Sequence, residues 1–268
     1  MPLPNKDKQI GTASTEIPRR EVLGSMVDVL DMDTALGVID EFIENDHARG
    51  YVVAINPEKV YAVRQNTFLQ NFLANASLLV PDGIGLVGAL RLLYGDKVHR
   101  GPGADLMQEI CAKAPERGYR IFVYGGEEKV NHEAVEKLHQ RHPGLQIVGR
   151  ANGYVPQEKM PDLINQINDS QADILFVALG SPKQEEWIHQ HISELNVKVC
   201  QGIGGTLDTI VGNVARAPNV FQRCHLEWFY RLLKQPSRIK RQAKLPLFVL
   251  QVIGAKCTME WRRLRNNS

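Results

Sequence analysis

No apolar run in this 268-residue sequence reaches the roughly 18–20 residues that a bilayer-spanning helix needs, so no transmembrane helix is expected. The opening Met1-Pro-Leu-Pro-Asn-Lys-Asp-Lys8 lacks an apolar h-region, and no signal peptide is expected either. Cysteine is scarce. Cys111, Cys200, Cys224 and Cys257 are scattered without a CxxC pair, which argues against a zinc site or a disulfide framework and for reduced thiols of a cytoplasmic protein. Charge of one sign is also nearly absent overall, at +2, but its distribution is lopsided. Residues 221–268 hold 11 Lys or Arg against 2 acids, a balance of +9, whereas the rest holds 21 against 28. An acidic body with a basic tail points to an anionic partner for the tail.

The composition is that of a folded chain, 43% hydrophobic and 23% charged. Residues 1–20 are polar and proline-bearing, and read as a flexible lead. Short apolar runs then alternate with amphipathic stretches of helical length. The runs are Tyr51–Ile55, Ser77–Val80, Tyr119–Tyr124, Leu145–Val148, Asp173–Leu179 and Val197–Gly202; the stretches include Glu58–Leu73 and Glu127–Arg141. Such alternation predicts an α/β fold, a parallel sheet flanked by helices over residues 21–220. Ligands of these sheets sit beyond the carboxyl ends of the strands. From residue 221 the pattern turns helical, basic and aromatic, a C-terminal helical appendage over 221–268.

Three loops after strands attract attention: Pro81-Asp82-Gly83-Ile84-Gly85, Gly180-Ser181-Pro182-Lys183-Gln184-Glu185-Glu186-Trp187, and Gly202-Ile203-Gly204-Gly205-Thr206-Leu207-Asp208. Glycine lets the backbone approach a ligand, and helix N-termini offer free N–H groups to phosphate; any one such loop can equally be an ordinary strand-to-helix turn. Gly83-Ile-Gly85-Leu-Val-Gly88 matches a dinucleotide fingerprint, but the acid expected about 20 residues later falls on Asp105, in a helix-start context. Asp31-Met32-Asp33 matches a metal-holding DxD, yet Asp33 precedes a helical pattern and is read as its N-cap. His189 and His191, two apart on a helix, face different ways and make no metal pair. Trp187 is read as core before base-stacking. In the tail, Leu226–Leu233 is aromatic and amphipathic, and Leu245–Ile253 is apolar but too short to span. Lipid binding, a packed helix pair with a solvated basic face, and nucleic acid are the three readings, the last weakened by the absence of a recognised motif.

Taken in order, Asn56-Pro57-Glu58, Pro81–Gly85, Arg100–Leu106, Gly180–Trp187, Gly202–Asp208, Gly212, Arg216-Ala217-Pro218, Leu226–Leu232, Pro236 and Arg238 resemble the WecG/TagA/CpsF family of bacterial glycosyltransferases over about residues 22–241. The resemblance implies a Rossmann-like core and an inverting, metal-independent enzyme without a cofactor. It also implies transfer of N-acetylmannosamine, or its uronic acid, from UDP to GlcNAc-diphospho-undecaprenol, or a related step of teichoic acid or exopolysaccharide assembly. Asp82 corresponds to the family's proposed base; Arg100 and Gln184 correspond to residues near the nucleotide, and Arg231, Arg238 and Arg241 to its C-terminal arginines. Asn56, Gly83, Gly125, Gly180, Pro182, Gly204, Gly205 and Asp208 complete the expected substrate contacts. Ala54 stands where the family often has Thr, so the donor sugar is open, with a hexosyl or uronosyl donor as the alternative. The expected partners are a UDP-sugar, a lipid-linked acceptor and an anionic membrane surface at the inner face of the plasma membrane, without nucleic acid, and a homo-oligomer is possible. The rivals are an NAD-dependent oxidoreductase and a non-catalytic membrane-surface adaptor.

Overall fold

A computed structural model of the protein describes residues 17–44, 49–96, 98, 103–213 and 244–266. Six strands form one sheet: β3 (Gly50–Ile55), β4 (Leu78–Pro81), β5 (Arg120–Gly125), β6 (Gln146–Ala151), β7 (Ile174–Ala178) and β8 (Val199–Gly202). Their spatial order is β4-β3-β8-β7-β5-β6, and every neighbouring pair is parallel. Each of the six apolar runs read from the sequence is one of these strands, within a few residues at either end. A parallel strand is buried on both faces and so needs a continuous apolar run, which is why the signal was clear.

The α-helices among the described residues are α1 (Met32–Glu44), α2 (Pro57–Gln65), α3 (Thr67–Ala74), α4 (Ile84–Tyr94), α5 (Gly103–Arg117), α6 (Glu128–Arg141), α7 (Met160–Asp169), α8 (Lys183–His191), α9 (Thr206–Val211) and α10 (Leu245–Asn266). Two apolar clusters sandwich the sheet. One gathers residues of α2, α3, α4, α7, α8 and α10, including Val60, Leu69, Leu90, Ile164, Ile188 and Phe248. The other gathers α1, α5, α6 and α9, including Ile39, Ile110, Leu138 and Leu207. After β3 the chain passes to the first face, and after β8, its neighbour, to the second. That divergence opens a crevice at the carboxyl ends of β3 and β8.

Two local expectations are corrected. The stretch Glu58–Leu73 is two helices, because Asn66 is extended (φ −139°, ψ 104°) and its Oδ1 accepts from Leu69 N–H at 3.2 Å, capping α3. Asn competes with the helical backbone through such bonds and therefore divides it. The N-cap of α1 is Asp31 rather than Asp33: Oδ1 of Asp31 accepts from the Thr34 N–H at 2.9 Å and the Thr34 hydroxyl at 2.7 Å. Asp33 lies one position inside the helix and is exposed.

A hairpin of β1 (Arg19–Val22) and β2 (Ser25–Asp28) shields the β4 edge of the sheet. Its anchor is Asp28, only 2% exposed, which accepts from Arg19 Nε at 2.6 Å and from the Leu79 backbone N–H of β4 at 2.7 Å. An edge N–H so occupied cannot recruit another strand. β1 starts inside the segment that the sequence reads as a flexible lead.

The expected junction near 221 and the aromatic basic stretch lie outside the described residues, but α10 is within them. Phe248 and Val252 of α10 are 1% and 4% exposed and sit in the first cluster beside α4 and α2. Gln251 accepts from Tyr61 Oη at 3.2 Å and Arg64 Nη1 at 3.0 Å. The apolar stretch Leu245–Ile253 therefore gives one side to the core. Phe248→Ala is expected to lower unfolding free energy by about 3 kcal/mol in urea denaturation. An unchanged midpoint would mean that α10 is not docked.

Candidate functional site

Every expected site residue that the structure describes stands at the carboxyl edge of the sheet. Asp82 follows β4, and its N–H donates to the Ile55 carbonyl of β3 at 2.6 Å, so Asp82 and Asn56 emerge side by side. Gly204, Gly205 and Asp208 follow β8, Gly180 and Pro182 follow β7, and Gly125 ends β5. From β4 to β5 the row spans four strand spacings, about 19 Å at the usual ~4.8 Å. Its length suits an extended ligand of several groups and exceeds a single sugar. Arg100, Arg231, Arg238 and Arg241 lie outside the described residues.

The structural duties of these residues differ. Asn56 is the N-cap of α2, its Oδ1 accepting from Lys59 N–H at 2.8 Å. Gly83 opens α4 at φ 85°, a left-handed value that a side chain resists. At Gly125 (φ 120°) a Cβ would fall 2.4 Å from the Ala178 carbonyl oxygen of β7. The glycine there is imposed by strand packing, whatever binds nearby. Asp208 is half-buried in the first turn of α9, 3.4 Å from Asn213 Nδ2.

Gln184 is 5% exposed, and its amide is engaged at both ends. Oε1 accepts from the Gly204 N–H at 2.9 Å, and Nε2 donates to Glu185 Oε1 at 3.3 Å. Glu185 in turn pairs with Lys59 Nζ at 2.5 Å. A Cβ on Gly202 would lie 2.5 Å from Gln184 Nε2, so the end of β8 is bare to admit this amide. The loops after β3, β7 and β8 are thereby tied together behind the crevice.

Trp187 is core, 6% exposed, with its ring 4.8 Å from Tyr124 and its Nε1 donating to the Met160 sulfur at 3.2 Å. His189 packs on Phe68 and Phe72, while His191 meets Glu194 at 3.0 Å, so the two do face apart. Asp105 lies in the first turn of α5 and not at a strand end, leaving the dinucleotide fingerprint without its ribose acid. Cys111 and Cys200 are free thiols, and burial pushes both up to about 12, which leaves them unreactive near neutral pH.

Sequence reasoning missed Lys59, Glu185 as its partner, and Tyr154. Tyr154 follows β6 and is 73% exposed, an unusual placement for a large ring. It is held beside the Gly125-Gly126 turn: Gly153 N–H donates to the Gly126 carbonyl at 2.8 Å, and Tyr154 N–H to Asn152 Oδ1 at 2.9 Å. Asn152 also bonds Glu128 at 3.1 Å, and the Arg150 and Asn152 bonds hold the Glu128 carboxyl below its ordinary range. The signal in the sequence was Asn152-Gly153-Tyr154 just after an apolar run, a turn that presents a ring at the carboxyl edge of the sheet.

A fully parallel sheet with glycine turns, a carboxylate and an exposed ring along one edge defines an α/β protein whose candidate site lies at its strand ends. The particular family is a glycosyltransferase one: the chain belongs to the glycosyl transferase WecG/TagA/CpsF family, whose model matches residues 20–262. One similar protein is the N-acetylglucosaminyldiphosphoundecaprenol N-acetyl-beta-D-mannosaminyltransferase of Bacillus spizizenii. It is 37% identical over 203 residues, covering 76% of this chain and 78% of that relative.

Because Gly125 answers to packing, Gly125→Ala is expected to destabilise the fold by about 2–3 kcal/mol, read by thermal or urea unfolding without any ligand. Wild-type stability in that variant would instead assign the glycine to ligand approach.

Proposed function

We propose that the protein transfers an N-acetylmannosaminyl group from a UDP-sugar to a polyprenyl-diphosphate-linked GlcNAc, with inversion at the anomeric carbon and without a metal. The observation that carries this reading is the carboxylate of Asp82 at the strand-end row, in a chain 37% identical to a transferase whose name specifies that sugar and that acceptor. In a single displacement the acceptor oxygen bonds to the anomeric carbon as the bond to UDP breaks. The acceptor hydroxyl proton goes to Asp82 as general base. The leaving UDP gains charge, which Arg100, Arg231, Arg238, Arg241 and the N–H groups of the glycine turns are positioned in the sequence to offset. Tyr154 offers a ring on which a uracil base can stack. The DxD-like pair gives no support to a metal, since Asp31 is committed to capping α1.

Ala54 keeps a second donor in play. It lies one residue from the end of β3, half-buried, in register with Val80 and two residues along the same face from Val52. A hydroxyl at that place is missing, and a hexosyl or uronosyl donor fits its absence.

A lipid-linked acceptor requires that the protein reach a membrane surface. Among the described residues no helix is long and apolar enough to cross one. The outer side of α10 nonetheless shows Leu250, Ile253, Trp261 and Leu264 at 65%, 45%, 62% and 70% exposure, in line with the exposed Cys257. The intervals of three and four residues put all five on one helical face, opposite Phe248 and Val252. With Arg262, Arg263 and Arg265 nearby, this face suits an anionic bilayer surface, lying on it and not across it.

The deciding experiment offers a panel of UDP-sugars with a lipid-diphosphate-GlcNAc acceptor in EDTA and measures UDP release. Turnover of UDP-N-acetylmannosamine, lowered about 100-fold or more in Asp82→Asn with UDP binding retained, is expected. Full activity of that variant removes the base assignment, and activity restored only by magnesium removes metal independence. In sedimentation with phosphatidylglycerol vesicles, a Leu250→Glu/Trp261→Glu variant is expected to bind about tenfold more weakly. Undiminished binding would place the membrane contact elsewhere.

A further inference from the structure

The ion pair of Lys59 and Glu185 is among the most enclosed polar contacts described: the residues are 8% and 1% exposed. Both sit in the first turn of a helix, Lys59 in α2 and Glu185 in α8. Glu185 is favoured there by the helix dipole, but Lys59 is opposed by it. Oε2 of Glu185 is buried and finds no hydrogen-bond donor among the described residues. A pair so placed gains little over apolar residues of the same volume, because desolvation offsets the attraction. Stability is therefore a weak reason for its presence.

Geometry supplies a stronger one. Glu185 Oε1 receives Lys59 Nζ and also Gln184 Nε2, at 2.5 and 3.3 Å. The acid thus decides which end of the Gln184 amide faces it, and the other end, Oε1, is turned to the Gly204 N–H at 2.9 Å. An apolar residue in place of Glu185 removes that acceptor, and the amide can then rotate. Gly204 is at φ 54° in the turn from β8 into α9; the Thr206 hydroxyl donates to the Ile203 carbonyl of that turn at 2.5 Å, while the Gly204 N–H itself is held by Gln184. The lysine reaches from the α2 that Asn56 caps, so one contact spans the loops after β3, β7 and β8.

We propose that Lys59 and Glu185 are a positioning pair: through Gln184 they fix the turn that follows β8 at Gly204, and with it the backbone that meets the donor diphosphate. The fixing of Gly204 stands on the contacts alone; the effect on the donor rests on the function proposed above. Neither side chain touches substrate. Their influence passes through Gln184.

The test uses the full-length Lys59→Met/Glu185→Leu protein, which leaves no buried charge unpaired and no acceptor for Gln184 Nε2. Its melting temperature is expected to stay near that of the wild type. Hydrogen exchange at the Gly204 amide is expected to quicken roughly tenfold, the scale of one lost hydrogen bond. The kcat/KM for the UDP-sugar is expected to fall about 100-fold, as for a misplacement near 1 Å, with the acceptor KM unchanged. Unaltered exchange at Gly204 overturns the proposal, and so does exchange that quickens equally across the whole sheet. Should the double variant fail to fold, Glu185→Asp, which keeps both charges but shortens the reach, is read in the same way. If the wild type releases UDP from no donor, the donor reading fails, and exchange at Gly204 alone decides the pair.

Discussion

The pairing of β8 with β3 on one side and β7 on the other holds the two halves of the sheet together. β8 comes last among the six strands in the chain yet lies near the middle, with Gly50 and Ile174 both in register with Val199. Val199 and Cys200 are almost fully buried, as a central parallel strand must be. Without this insertion the β4-β3 pair and the β7-β5-β6 trio would share no hydrogen bonds, and Asp82 would have no fixed relation to the glycine turns. The candidate site is thus a product of strand order: residues far apart in the chain meet because one late strand fills the gap between earlier ones.

That same edge shows how a family of transferases can keep its scaffold while varying its chemistry. The apolar faces of the sheet are covered by helices on both sides, so changes there cost stability. Loops beyond the strand ends, where the candidate site lies, tolerate change. Ala54 shows the boundary between the two regimes. It belongs to a strand but stands one residue from its end, half-buried, where the carboxyl edge of the sheet begins. The buried Lys59–Glu185 contact lies just behind that boundary, a polar tie at the junction of core and loop.

The C-terminal helix has two unlike sides. Its inner residues, Phe248 and Val252, belong to the core, and its outer residues form an apolar stripe with arginines at its end. Under the proposed function, a helix docked by one side and bare on the other would hold the strand-end edge at a set distance from a lipid surface. Its hydrophobicity had two claims on it, packing and surface, and the sequence shows both without dividing them.

Strand positions were legible because buried parallel strands demand unbroken apolar runs, and the glycine turns were legible because few other residues accept their backbone angles. The ordered motifs from Asn56 to Arg238 also carried the family by themselves. Capping was harder to read. Asp31 and Asp33 are equivalent as residue types, and only the helix start chooses between them; Asn66 divides Glu58–Leu73 through a bond to Leu69 that polarity alone does not announce. Tertiary structure alone decided that Glu185 faces Lys59, 126 positions away, that Gln184 is turned inward toward Gly204, and that Gly125 answers to β7. The reason is physical: a local pattern records what one segment can bury or bend, whereas a contact between distant charges depends on which strands become neighbours.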